Sequence, residues 1–260
     1  MSDTVIRLSV FVGVLAVFAG LETLFPARAR VLPRARRWAT NLSLSALGSL
    51  TGALMAPVLA VSVAAGAAQA GWGLFNITDW NPWAEGLLAV VLLDLAIWAQ
   101  HVAFHHVPWL WRLHSVHHAD RDLDATSGVR FHPVEIAVSL LWKAVVILAL
   151  GPAVLAVLAF EIVLNATAIF SHSNLRLPAW LDRALRAVIV TPAMHRVHHS
   201  IVEGESKSNY GFNLSVWDRL FRTYRKSARG ELVLGLAEHQ DARPARLVPS
   251  LLLPFKPSPR

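Results

Sequence analysis

Long apolar runs alternate with short polar stretches through the first two thirds of the chain, near residues 5–25, 42–67, 84–104, 134–150 and 153–171. Each is close to the length of about 17 to 25 residues that a membrane-crossing helix requires. The last two are separated only by Gly151-Pro152, a pair that ends a helix and turns the chain. Residues 134–171 are therefore predicted as a hairpin whose arms lie at the short end of that range. Beyond about residue 172 the runs shorten, and short helices are expected around 180–200 and 213–224, with another at 112–119. The pattern predicts an all-α integral membrane protein with about four to five membrane-embedded helices and a helical cap on one side. No repeat or flexible linker divides the chain, so 1–260 reads as one membrane-embedded domain.

Charge orients these elements. The stretch "ARARVLPRARRW" carries Arg28, Arg30, Arg34, Arg36 and Arg37, whereas Trp38 through Trp83 contains no lysine or arginine. Cytoplasmic loops are the ones enriched in such residues, which puts 26–41 in the cytoplasm and 71–83 outside. Counting crossings from there returns the third run to the cytoplasm near His101 and the fifth near His172. Every histidine cluster then falls on the cytoplasmic side, with residues 105–133 and 172–260 forming the cap. Trp72, Trp80 and Trp83 on one side, and Trp38, Trp109, Trp111 and Trp180 on the other, stand where interfacial aromatic belts form.

Composition agrees and removes several alternatives. The 260 residues are 55% hydrophobic and only 16% charged, with no cysteine. Disulfides, thiolate zinc sites and cysteine-ligated iron–sulfur clusters are excluded, so nitrogen or oxygen must hold any metal. The formal charge of +7 is spread between apolar runs, which suits anionic lipid rather than nucleic acid. The first run, Val5 to Phe25, is too long for a signal-peptide core and lacks a small-residue cleavage site, so it is read as a retained helix.

The chemistry lies in the histidines. "LHSVHHA" holds His114, His117 and His118, and "MHRVHHS" repeats the spacing with His195, His198 and His199. On a helix, positions i, i+3 and i+4 share one side, so each triplet fans its rings over roughly 100°. His101 and His105 of "QHVAFHH" add an i, i+4 pair, while His106 and His239 read as ordinary polar residues. Zinc sites use three or four protein ligands, and eight clustered imidazoles exceed that, which points to two metals. Imidazole suits iron, copper and zinc alike. Oxygen chemistry, a zinc-dependent lipid hydrolase, and a metal transporter or sensor all remain open on spacing alone.

The order His101/His105, "PWLWRLHSVHH", "RFHP", "FSHSN", "TPAMHRVHHS" and "NYGFNLSVWDRLFRTY" resembles the fatty acid hydroxylase and sterol desaturase superfamily of membrane-bound histidine-box enzymes. The likeness runs from about Asp94 to Tyr224. It implies a non-haem di-iron centre on the cytosolic face that uses O2 and external electrons to hydroxylate, or desaturate, a C–H bond of a lipid such as a fatty acyl chain or a sterol. The ligands it implies are His101, His105, His114, His117, His118, His195, His198 and His199, with His172 of "FSHSN" as a ninth.

Metal-bound imidazoles usually donate their second N–H to a carboxylate or carbonyl, which makes Asp94, Asn209 and Asp218 candidates for that support. His132 is expected in a similar role or at a helix start. For Asp218 a surface salt bridge with Arg219 or Arg222 is an equal alternative. Lys143 and Glu161 lie eight and nine residues either side of the hairpin tip, and are predicted to form an ion pair between its arms. With no cysteine and no fused haem segment, a separate electron donor of cytochrome, ferredoxin or rubredoxin type is required. Its expected docking surface is the basic face around Arg219, Arg222, Arg225 and Lys226.

Overall fold

In the computed structural model, which describes residues 3–256, the elements follow the apolar pattern closely. In chain order they are α1 (Asp3–Leu24), α2 (Arg34–Leu54), α3 (Ala60–Ala70), α4 (Pro82–His106), α5 (Pro108–His118), α6 (Pro133–Leu150) and α7 (Val154–His172). Five short helices follow: α8 (Ala179–Leu185), α9 (Pro192–His198), α10 (Glu203–Ser206), α11 (Val216–Leu220) and α12 (Leu247–Leu252). Among the described residues β-pairing is limited to isolated bridges. Four helices, Thr4–Leu24, α4, α6 and α7, are long and apolar enough to cross a membrane, and the chain is a multi-pass membrane protein.

The run at 42–67 departs from its expected form. It is not one span but α2 and α3, parted by a turn at Ala56–Val58. Pro57 supplies the reason, because it lacks an N–H and its ring clashes with the carbonyl one turn back. Together α2 and α3 still run the length of the bundle. Arg37 and Asn41 of α2 lie beside Asp120 at the histidine end, and the loop after α3 reaches the opposite end at the α6–α7 tip. There Gly151 takes φ 63° and Gly73 takes φ 96°. A Cβ on Gly73 would meet the Gly151 nitrogen at 2.3 Å, and Asn76 Nδ2 donates to the Gly151 carbonyl at 3.0 Å.

The core sits between these helices. Ala60 and Ala64 of α3 pack with Leu93 and Ile97 of α4, Ile147 of α6 and Val157 and Phe160 of α7. α1 packs along α7 through Phe11, Val14, Leu15 and Phe18, which cover Ile169, Ala125 and Val129. The outer surfaces of α1 and α6 expose Leu8, Val12, Leu141 and Val145, as lipid-facing helices do.

Four helices that carry or brace histidines open on a proline, whose missing N–H costs nothing at that position. Asn81 caps α4, accepting from Trp83 N at 3.0 Å, and Thr191 caps α9. Pro108 ends α4 by disfavouring helical geometry at Val107, so a single residue separates α4 from α5. Pro192 likewise divides the helix expected over 180–200 into α8 and α9. The helix expected at 213–224 shortens to α11, which stops before Arg222 at φ 60°.

Trp72, Trp80 and Trp83 are exposed at the tip end, and Trp109 and Trp180 at the histidine end. Trp38 and Trp111, at the histidine end, are half-buried. Trp38 donates to Asp124 at 3.2 Å, and Trp111 packs against His105 and His118.

Candidate metal centre

Four helix ends meet at one end of the bundle. The last two turns of α4 bring His101 and His105, α5 brings His114, His117 and His118, α7 ends on His172, and α9 with its C-cap brings His195, His198 and His199. All nine rings are buried. They fall into two groups, each with ligand-capable atoms within 4.8 Å of one another. His101, His105, His114, His118 and His198 form the first group, and His117, His172, His195 and His199 the second. Each group could hold a metal ion. His106, which meets the Tyr210 hydroxyl at 3.1 Å, and His239 lie outside both.

The outer nitrogens fix how the rings present themselves. Nδ1 of His101 donates to the Tyr210 carbonyl at 2.7 Å, that of His117 to Arg130 at 3.2 Å, that of His172 to Ala168 at 2.7 Å and that of His198 to Ser208 at 2.7 Å. His114 Nδ1 donates to Glu135 Oε1 at 2.6 Å. A neutral imidazole bonded this way keeps only a lone pair on Nε2. Yet Nε2 of His101 and His114 stand 3.1 Å apart, and those of His117 and His172 3.0 Å apart. Two acceptors facing each other repel unless a cation lies between them.

Other nitrogens tell the same story. Nε2 of His105, His118 and His198 is buried without a hydrogen-bond partner, an arrangement that costs about 1–3 kcal/mol per group when nothing compensates, while Nε2 of His195 and His199 faces the other rings of its group. Burial holds the His114 imidazole down to about 3. Burial, and then neighbouring imidazoles, lowers His117, His118, His195, His198 and His199 well below the usual histidine range. Both effects favour the neutral ring, which keeps the lone pair that metal ligation requires.

The residues expected to support the ligands act one step further out. Asp94 accepts from Asn213 N, Leu214 N and Trp217 Nε1 at 3.3, 3.1 and 2.8 Å, tying the 209–217 loop to α4. Asp218 accepts from Trp98 Nε1, Tyr210 N, Gly211 N and Thr223 Oγ1, and so holds the strand of chain whose Tyr210 carbonyl orients His101. It makes no salt bridge with Arg219 or Arg222. Asn209, at φ 55°, bonds Met194 and Arg225 and fixes the turn beside Ser208. His132 caps α6, accepting from Val134 N at 3.2 Å.

Glu135 and Arg130 escaped the sequence reading. Glu135 is a lone carboxylate in the first turn of an apolar helix, and that placement is its one visible signal. Arg130 is fully buried, donating to Val116 O, Asn41, Pro244 O and Ser250. Beneath it Arg37 is clamped by Asp120 and Asp124. The Asp122 carbonyl also meets this guanidinium, while the Asp122 carboxylate accepts from Val31 N and Leu32 N.

A cavity of about 530 Å³ reaches the first histidine group. His101, His114 and Glu135 lie at one end, Phe11, Ile97 and Leu164 along the walls, and Arg7, Lys143 and Glu161 toward the other end.

Buried paired histidine groups under a bundle of membrane helices define a class, the histidine-rich membrane proteins with a candidate metal centre. The fatty acid hydroxylase family model matches residues 86–223, more than half of the chain, and the chain belongs to that family. It is 27% identical over 151 residues to ornithine lipid hydroxylase of Rhizobium tropici, covering 58% of this chain and 45% of that protein. It is 26% identical over 170 residues to alkylglycerol monooxygenase of Homo sapiens, covering 63% and 35%, and 27% identical over 163 residues to that of Xenopus tropicalis, covering 59% and 34%. The match thus spans less than half the length of each of these relatives. No solved structure matches the chain.

Proposed function

We propose that the chain is a membrane-bound non-haem di-iron oxygenase that uses O2 and externally supplied electrons to hydroxylate, or desaturate, a C–H bond of a lipid. The facing lone-pair nitrogens of His101 and His114, and of His117 and His172, carry this reading. His101, His105, His114, His118 and His198 would hold one iron, and His117, His172, His195 and His199 the other. When bound, the irons supply O2 activation by transferred electrons, which is cofactor rather than side-chain chemistry.

The chain's own part is positioning and exclusion of water. Carbonyls of Tyr210, Arg130, Ala168 and Ser208 and the Glu135 carboxylate keep the rings turned inward. The apolar cavity walls admit a lipid chain to His101 and His114 while excluding water. The names of the relatives, a lipid hydroxylase and monooxygenases, favour hydroxylation. A hydrolytic zinc site would leave most of nine imidazoles surplus, and a transporter would stagger its ligands through the membrane depth rather than gather them at one end.

The histidine end faces the cytoplasm in this proposal, supported by the arginine-rich 26–41 segment lying at that end. A separate redox protein of cytochrome, ferredoxin or rubredoxin type delivers electrons there. Exposed Arg222 and Lys226 beside exposed Leu220 and Phe221 offer it a basic, partly apolar surface. Metal analysis of the purified full chain with an oxygen-uptake assay tests the proposal. About two irons per chain and donor-dependent O2 consumption are expected. Zinc with lipid turnover in anaerobic buffer would replace it with hydrolysis.

A further inference from the structure

The cavity is lined by ionisable side chains at two levels. One is Glu135 beside His114; the other is Arg7, Lys143 and Glu161, where α1, α6 and α7 converge. The predicted ion pair between the hairpin arms is present, with Lys143 Nζ donating to Glu161 Oε1 at 2.7 Å. A third member was not foreseen: Arg7 of α1 donates to Glu161 Oε2. A single carboxylate therefore serves two cations, and at this level of the cavity the described side chains leave one positive charge unbalanced, within helices that cross the membrane. Charge in that setting is expensive and is retained where it serves a ligand or pathway. Lys143 and Glu161 are mostly buried and Arg7 is one-third exposed, so an anion can approach from the lipid side of α1.

We propose that Arg7 and Lys143 form an anion subsite that receives the carboxylate or phosphate of a lipid whose hydrocarbon chain extends down the cavity to the histidines. The identity of the chemistry at the far end rests on the oxygenase reading above; binding at this end does not. Glu161 holds the two cations at a fixed separation and cancels one charge, which leaves the net attraction suited to a monoanion.

The subsite also sets a distance. Lys143 follows Glu135 by eight residues on one helix, about 12 Å along its axis. An extended chain advances roughly 1.2 Å per bond, so the carbons presented to His101 and His114 lie about ten bonds from the anion. The lipid is thus expected to be oxidised in mid-chain rather than next to its polar group.

The test uses the full chain in detergent, without donor protein, and measures retention of palmitate, phosphatidylglycerol and neutral monopalmitoylglycerol by native mass spectrometry. The expected result is that at least one anionic lipid is held about tenfold more tightly than the neutral one, with palmitate against phosphatidylglycerol telling carboxylate from phosphate. Arg7→Gln and Lys143→Gln should each erase most of that preference and leave monopalmitoylglycerol binding unchanged, whereas Lys143→Arg should keep it. Equal retention of charged and neutral lipids by the native chain, or a preference that survives both glutamine variants, overturns the subsite. Anion preference without iron or O2 consumption would sink the oxygenase reading alone. Iron-dependent O2 consumption without anion preference would sink the subsite alone.

Discussion

Glu135 shows how one side chain can set the behaviour of a whole cluster. Its carboxylate accepts from His114 Nδ1 at 2.6 Å, and that bond turns the opposite nitrogen toward His101. Replacing it by alanine removes the hydrogen-bond partner of Nδ1 and frees the ring to rotate. Glu135→Ala is expected to weaken metal retention by about 10–100-fold, read as metal remaining after dialysis against a graded series of chelators. Arg37 acts on stability instead. Arg37→Met would strand Asp120 and Asp124 without their cation in a buried site, at a cost of about 3–5 kcal/mol. Loss of a cooperative thermal transition in detergent is the expected readout. At this scale the two histidine triplets were legible because their spacing repeats, and His101 and His105 because they stand one turn apart, whereas His172 was reached only through the family resemblance. Glu135, Arg130 and the orienting carbonyls were not, because a backbone oxygen has no signature in sequence and a single carboxylate does not announce its partner. Asp94 and Asp218 were legible as buried carboxylates in the wrong relation: each binds loop amides, and those amides hold the segments that carry the orienting carbonyls.

Helix termini, more than helix interiors, assemble the centre. Apolar length alone places α1, α4, α6 and α7 to within about two residues, since membrane-scale runs leave little choice of element. Hydropathy failed over 42–67 because averaging over a window passes across Pro57 without registering the lost hydrogen bond. At the opposite end of the bundle, two glycines in backbone conformations unsuited to other residues hold the 71–76 loop against the hairpin tip. Gly73→Ala would strain the backbone and press a methyl group into Gly151, for a destabilisation of about 2 kcal/mol or more. A lowered thermal midpoint with unchanged metal content is the expected outcome, because the tip lies about 27 Å along α6 from the histidine end. Loss of metal in that variant would mean that the hairpin relays its packing to the site.

Across the whole molecule, the direction of the bundle in the membrane remains accessible to a simple chemical test, because the chain contains no cysteine of its own. Trp83→Cys at the tip end and Arg222→Cys at the histidine end introduce single exposed thiols. A membrane-impermeant maleimide applied to intact cells is expected to label the first and to reach the second only after permeabilisation. The reverse pattern would invert the topology and move electron delivery to the outer face. One feature of the architecture also orders events in time. His101 and His105 lie near the end of α4, but His195, His198 and His199 lie some ninety residues downstream, and both groups require members of that last triplet. Since chains fold from the N-terminus as they are made, a ribosome-bound intermediate would possess its membrane helices before it possessed a closed coordination shell. Loading with metal would then belong to the final stage of biogenesis, and nascent chains stalled before residue 192 should insert normally while retaining none.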